Sequence, residues 1–214
     1  MHHTSNHATL STMDSLSFFM HWLSDPLRVG AVAPSSQALA AVMTAEIAPE
    51  IAPVIELGPG SGAFTRALLD RGIPQRRLAL IEQSPGFALA LGRRYPDVRV
   101  LCADAAALGS IDVFPGERAG AVVSGLPLLL MSLNKVSAIL ASAFTRLRPG
   151  GAFYQYTYGW GSPVPRPILE SLGLSATLIG GTLVNIPPAA VYRIARRRSI
   201  DLLARKGNWR QPAG

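Results

Sequence analysis

The chain has 214 residues, enough for one well-packed domain with appendages and too few for two ordinary ones. Apolar residues make up 49% and charged ones 15%, which excludes a disordered polymer, and the single cysteine, Cys102, excludes an internal disulfide. Of the net charge of +7, +6 comes from Arg193 onward, where seven basic residues face Asp201 alone. Such an end attracts nucleic acid or an anionic lipid surface, unless it is simply solvated. All four histidines lie in the first 21 residues and none is near Cys102, so no metal site is expected. No apolar run reaches the roughly 18–20 residues of a membrane span. The longest, "AGAVVSGLPLLLMSL", is broken by Gly125 and Pro127, and the amino terminus lacks the basic region of a secretory signal. A cytosolic protein is expected.

In chain order, residues 1–12 are polar and read as disordered. "MDSLSFFMHWLSDP" reads as a helix stopped near Pro26. Trp22, Phe19, Leu23, Leu16 and Met20 fall on one arc of it and Ser17, Ser24, His21, Asp14 and Asp25 opposite, with Phe18 at the margin. That face packs on a core or lies in a bilayer interface. Ser35 or Ser36 then caps a helix through "QALAAVMTAEIA" towards Pro49.

From there strands and helices alternate. "VIELG" is a strand and "SGAFTRALLDRG" a helix; "RLALIEQ" is a strand and "PGFALALGRRY" a helix; "VRVLCAD" is a strand followed by a turn-rich piece. "AGAVVSGL" is a strand, "NKVSAILASAFTRL" a helix closed by "RPGG", "AFYQYTYG" a fifth strand and "RPILESLG" a short helix. "SATLIGG" and "AAVYRIAR" pair as a hairpin across "NIPP". Continuous apolar strands alternating with helices imply an α/β, doubly wound, Rossmann-like sheet, mostly parallel with the last strand antiparallel. Ligands bind such sheets at the carboxyl ends of the strands, near the topological switch point.

Gly58, Gly60 and Gly62 in "VIELGPGSGAF" let the backbone turn and approach a ligand, and the helix that follows presents free N–H groups. With Ala63 the loop also satisfies the looser dinucleotide pattern G-x-G-x-x-A. Three acids, Glu56, Glu82 and Asp104, stand at or near the carboxyl ends of three successive strands. An oxidoreductase would want a His, or a Tyr–Lys pair, to move the proton accompanying hydride. Beyond His21 there is no histidine, and the only lysines are Lys135 and Lys206.

The triple "ELGPGSG", "IEQS" and "CADA" resembles the cofactor site of class I S-adenosylmethionine-dependent methyltransferases. The resemblance implies that Glu56 serves the ammonium of the methionine end, Glu82 with Gln83 the ribose, and Asp104 with Ala105 the adenine. The glycines give close approach, Ser124 lines the site, and S-adenosyl-L-homocysteine is the product. "FFMHWLSDPLRVGAVAPSS", "SGLPLL" and "YTYGWGSPVPR" further resemble the bacterial phospholipid N-methyltransferases, which make phosphatidylcholine from phosphatidylethanolamine. By that likeness residues 13–48 form membrane-facing helices and a lid, 49–198 the catalytic domain, and 199–214 a basic tail. Phe18, Phe19, Trp22 and Leu23 would meet the membrane on the inner face of the cytoplasmic membrane, with no obligate protein partner.

The rRNA adenine dimethyltransferases are similar too, but they carry Asn-Leu-Pro-Tyr where this chain has Gly125-Leu126-Pro127-Leu128. Losing the Asn that orients a base amine and the aromatic that stacks on it argues against nucleic acid. Ser124 and the carbonyls around it, Gly125 and Leu126 included, stay available to a smaller amine, whose proton a water, a backbone acceptor or a tyrosine takes. Tyr154, Tyr156 and Tyr158 alternate on one strand face. The first two read as packing residues and Tyr158, at the ligand end, as a catalytic or substrate contact able to hold a methylated ammonium. Arg166 is a candidate partner for a lipid phosphate, or an ordinary surface arginine. Residues 1–27 lack the Lys and Arg expected of a basic first helix, which shifts the expected lipid anchor to Arg196–Arg198 and "SIDLLARKGNW". A non-catalytic cofactor-binding module docking on membrane or nucleic acid is the remaining alternative.

Overall fold

The computed structural model describes residues 34–185 and 188–197. The amino terminus expected to be disordered, the segment expected to form a helix with Phe18, Phe19, Trp22 and Leu23 on or beside its apolar face, Arg198 and the tail 199–214 all lie outside them.

Seven strands form one sheet in the order β3-β2-β1-β4-β5-β7-β6. They are β1 (Val54–Leu57), β2 (Leu78–Glu82), β3 (Arg99–Cys102), β4 (Ala119–Ser124), β5 (Leu147–Tyr158), β6 (Leu174–Thr182) and β7 (Ala189–Arg196). Every pair is parallel except those β7 makes with β5 and β6. Strands β1, β2 and β4 are buried throughout, which is why they read as unbroken apolar runs.

One face is covered by α1 (Pro34–Met43), α2 (Ala63–Asp70) and α3 (Pro85–Arg94), through Leu39, Met43, Leu68 and Leu91. The other is covered by α4 (Leu133–Arg146) and α5 (Arg166–Ser171), through Ile139, Leu140, Phe144 and Ile168. Strand order reverses between β1 and β4, so the crevice at their carboxyl ends is the expected ligand position.

Three elements differ from the sequence reading. Helix α1 starts at Pro34, ahead of the serines expected to cap it, because a proline has no N–H to waste in a first turn. It stops at Met43, and its Met43 and the following Ile47 are wholly buried in the sheet's own core. Residues 34–48, expected in a lid, therefore pack into the same core as the sheet. "RPGG" does not end a helix before a strand; it is a bulge inside β5. Pairing jumps from Ala119↔Leu147 to Ala121↔Ala152, and Gly150 takes a φ of 79° to absorb the extra residues.

The third difference concerns the basic end. Because β7 is antiparallel, Ala189 lies at the site edge and Arg196 at the opposite one. There Arg196 donates to the Phe144 carbonyl at 2.6 Å and stacks on that ring, and Arg197 donates to the Leu174 carbonyl at 2.9 Å. Both guanidiniums tie down chain ends. An eight-residue strand spans roughly 25 Å, so a lipid anchor at these two positions would hold the site edge away from the surface.

Candidate cofactor and methyl-acceptor site

The chain leaves β1 through a loop in which Gly58, Gly60 and Gly62 all take left-handed φ angles, and Gly62 then starts α2. Glu56 sits one residue inside the strand end with no solvent exposure. Its Oε2 accepts the Thr65 hydroxyl of α2 at 2.7 Å, while Oε1 is buried with no hydrogen-bond partner. Burial, aided by the charge of Glu82, pushes this carboxyl up to about 8 against the pull of Thr65.

Glu82 ends β2 and closes the loop from the other side. Its two oxygens accept the N–H groups of Gly60 at 3.0 Å and Ser84 at 2.8 Å. Gln83 beside it is exposed, and its carbonyl meets the Cys102 thiol at 3.7 Å. Asp104 follows β3, caps the turn Ala105–Ser110 through the Ala106 N–H at 2.8 Å, and pairs with the Lys135 ammonium from α4. Hydrogen bonds from Lys135 and Ala106 hold its carboxyl below the usual range. Ala105 is buried beneath it.

The loop after β4 packs directly on the loop after β1. The Gly125 N–H donates to the Leu57 carbonyl at 2.8 Å, and a Cβ on Gly125 would come within 2.6 Å of the Gly58 oxygen. Ser124 is fully buried, and its Oγ accepts the Leu126 N–H at 3.3 Å. Its role is to pin the loop; a neutral hydroxyl so placed is no proton acceptor.

Gln155, which sequence reasoning missed, is its register partner on β5. The Gln155 carboxamide donates to the Leu126 carbonyl at 2.9 Å and the Tyr156 carbonyl at 3.0 Å. Leu126 O also accepts the Leu128 N–H, and Pro127 O accepts that of Leu130. The Leu126 carbonyl expected to receive substrate is thereby taken by the protein itself, whereas the Gly125 carbonyl meets no donor among the described residues.

Tyr154 and Tyr156 pack as read: the Tyr154 hydroxyl donates to Glu46 at 3.2 Å, and Tyr156 meets Phe64 and Tyr158 edge-on. Tyr158 ends β5 at the site edge, partly exposed. Burial raises all three phenols, Tyr154 to about 12, so none yields a phenolate base near neutral pH. Arg166 is mostly exposed and pairs with Glu170 one turn along α5, the arrangement of an ordinary surface ion pair. Among the described residues no group of His, Cys, Asp or Glu is placed to hold a metal ion.

A family model described as "Methyltransferase domain" matches residues 54–151. An ornithine lipid N-methyltransferase of Singulisphaera acidiphila is 32% identical over 145 residues, covering 65% of this chain and 73% of that one. The chain belongs to the S-adenosylmethionine-dependent N-methyltransferases. Its fold is also that of the Burkholderia thailandensis 1,6-didemethyltoxoflavin-N1-methyltransferase holding S-adenosylhomocysteine, at 15% identity, with 91% and 94% of the two chains covered and a TM-score of 0.59. The glycopeptide N-methyltransferase MtfA with S-adenosylmethionine is similar at 16% identity, with 77% and 96% covered and a TM-score of 0.55. The cofactor is S-adenosylmethionine, and the residues fit it: the buried Glu56 oxygen without a protein donor is an acceptor that an ammonium can fill.

Two outcomes test the site. Since the folded carboxyl of Glu56 titrates near 8 and an unfolded one near 4.5, the cofactor-free fold holds an extra proton in that window and loses stability as pH rises through it. Glu56→Gln will therefore raise the melting temperature at about pH 9 while weakening S-adenosylhomocysteine at least about tenfold by calorimetry. Wild-type binding at about pH 7 will release close to one proton, read from the dependence of binding heat on buffer. Separately, Gln155→Leu will lower kcat/KM for the methyl acceptor about tenfold and leave S-adenosylhomocysteine affinity within about threefold, because it removes the tie from β5 to the Leu126 carbonyl of the acceptor loop.

Proposed function

We propose that the enzyme transfers methyl groups to the headgroup amine of phosphatidylethanolamine and of its mono- and dimethylated forms, towards phosphatidylcholine, at the inner face of the cytoplasmic membrane. The observation that carries this reading is the acceptor loop. At the place where a base-methylating relative keeps its stacking aromatic, Leu128 is 3% exposed and part of the core. Where the base-orienting Asn would stand there is Gly125. Nothing in the loop grips a planar base, and the space beside a bare carbonyl suits a small aliphatic amine. The relative that acts on an ornithine lipid supports an aminolipid as the substrate class and makes the ornithine-lipid amine the second reading.

The cofactor supplies an already activated methyl group. What the chain contributes is alignment and exclusion of water. Glu56 and the Gly58–Gly62 loop fix one end of the site, and Asp104 with Glu82 the other. The Gly125 carbonyl accepts a hydrogen bond from the amine and orients its lone pair, while Tyr158 offers an aromatic face worth about 0.5–2 kcal/mol to a partly methylated ammonium. Because the three tyrosines stay protonated, none of them takes the amine proton. No described helix is long and apolar enough to cross a membrane, so attachment is peripheral in this reading.

Incubation with methyl-labelled S-adenosylmethionine and vesicles of phosphatidylethanolamine, vesicles of ornithine lipid, or RNA discriminates the candidates. Label in phosphatidylethanolamine, progressing to phosphatidylcholine, is expected. Label confined to ornithine lipid selects the second reading, and label in RNA, or in nothing while the cofactor still binds, overturns both.

A further inference from the structure

Of the seven large apolar side chains exposed among the described residues, five lie at one edge of the sheet. Leu129 and Leu133 follow β4, Trp160 follows β5, and Leu183 and Val184 follow β6. Strands β4, β5 and β6 run in the same direction, so these three connections share the carboxyl edge where the cofactor and acceptor loops meet. Each of the five is more than half exposed.

Two are braced for that exposure. The Trp160 ring lies over the Gly181 backbone, where a Cβ would come within 3.0 Å of it, and the Trp160 carbonyl accepts the Tyr192 hydroxyl. The Val184 N–H is held by the Thr182 hydroxyl at 3.2 Å. The stretches 125–134, 159–165 and 182–185 contain no charged residue, in connections that ordinarily run polar over a surface.

We infer that this rim is the membrane-docking surface of the enzyme: Trp160, Leu183 and Val184 enter the headgroup–acyl boundary of a bilayer and seat the site mouth on it. The inference rests on the aminolipid reading above. An amine only a few bonds from its glycerol backbone reaches the β4 loop only if that edge touches the bilayer, so whatever rims the mouth must be compatible with lipid. A nucleic acid would require lysine or arginine at the same positions, and the rim has none. Tryptophan beside uncharged aliphatic residues is the composition of an interfacial contact. Because the attraction is apolar, it persists where ionic attraction by a basic tail is screened.

The full chain and a Leu183→Glu/Val184→Glu variant are floated with phosphatidylcholine vesicles at about 0.5 M salt, where ionic attraction is short-ranged. Wild type is expected to float and the variant to lose at least about tenfold in partitioning, with S-adenosylhomocysteine affinity unchanged. Methylation of vesicular phosphatidylethanolamine will fall in parallel, while a monomerically dispersed short-chain phosphatidylethanolamine is methylated as before. In a Trp22→Phe/Trp209→Phe background, Trp160 emission will shift to the blue on vesicles and be quenched by brominated lipid, a readout that needs no charged substitution. Unchanged flotation, an unresponsive Trp160, equal loss on the short-chain lipid, or a change only in sedimentation mass (a second copy on this face) each overturns the inference. A wild type that floats but methylates no aminolipid defeats the proposed substrate and leaves the docking surface standing.

Discussion

A carboxylate sealed away from water with one oxygen unpartnered organises this molecule. Glu56 could have been satisfied by a second donor from α2, as Thr65 satisfies its other oxygen, and it is not. Without ligand the group is costly, since burial forces it to keep its proton to about 8. The three acids at the strand ends are thus held in three different states. Glu56 is neutral and waiting, Glu82 is tied into the loop backbone, and Asp104 is kept ionised by Lys135. A methyl donor with a cationic tip would find its partner in the open oxygen of Glu56. A structural turn asks for none of it.

Selectivity for the acceptor follows from how tightly the second loop is bound to the first. Gly125 is pressed against Gly58, Leu126 is held at both its N–H and its carbonyl, and Leu128 is drawn into the core. The result is a ridge pinned at several points, with no planar clamp among the described residues. In the proposed reading, such a ridge aligns an amine without discriminating strongly among aliphatic carriers. The raised phenols of Tyr154, Tyr156 and Tyr158 add to this, because none of the three supplies a base to the amine near neutral pH.

The strand ends and the cofactor loop were legible in the sequence for a physical reason. In a parallel sheet buried on both faces, apolar runs stop where ligand chemistry begins, so Glu56, Glu82 and Asp104 announce themselves beside their glycines and turns. What stayed hidden depends on hydrogen bonds across long separations, which leave no period in the sequence. Gln155 reads as one polar residue among alternating tyrosines, yet its partner Leu126 lies 29 residues away. Lys135 reads as a helix-start lysine, although it neutralises Asp104 from 31 residues off. Arg196 and Arg197 read as a surface charge run and turn out to cap carbonyls, since a guanidinium can do either and composition does not tell which. The bulge at "RPGG" was mistaken for a break because proline and glycine punctuate both.

Strand β7 runs against all its neighbours, and this has an evolutionary corollary. Reversing one strand returns the β6–β7 connection to the reactive edge of the sheet, though nothing in cofactor binding needs it there. A hairpin tip is the part of a sheet most easily lengthened, shortened or recoloured, because its strands keep their register whatever the tip contains. The fold therefore carries an adjustable lip beside a reaction centre built on other strands, and descendants of this chain can change the surface they work on without relearning how to move a methyl group.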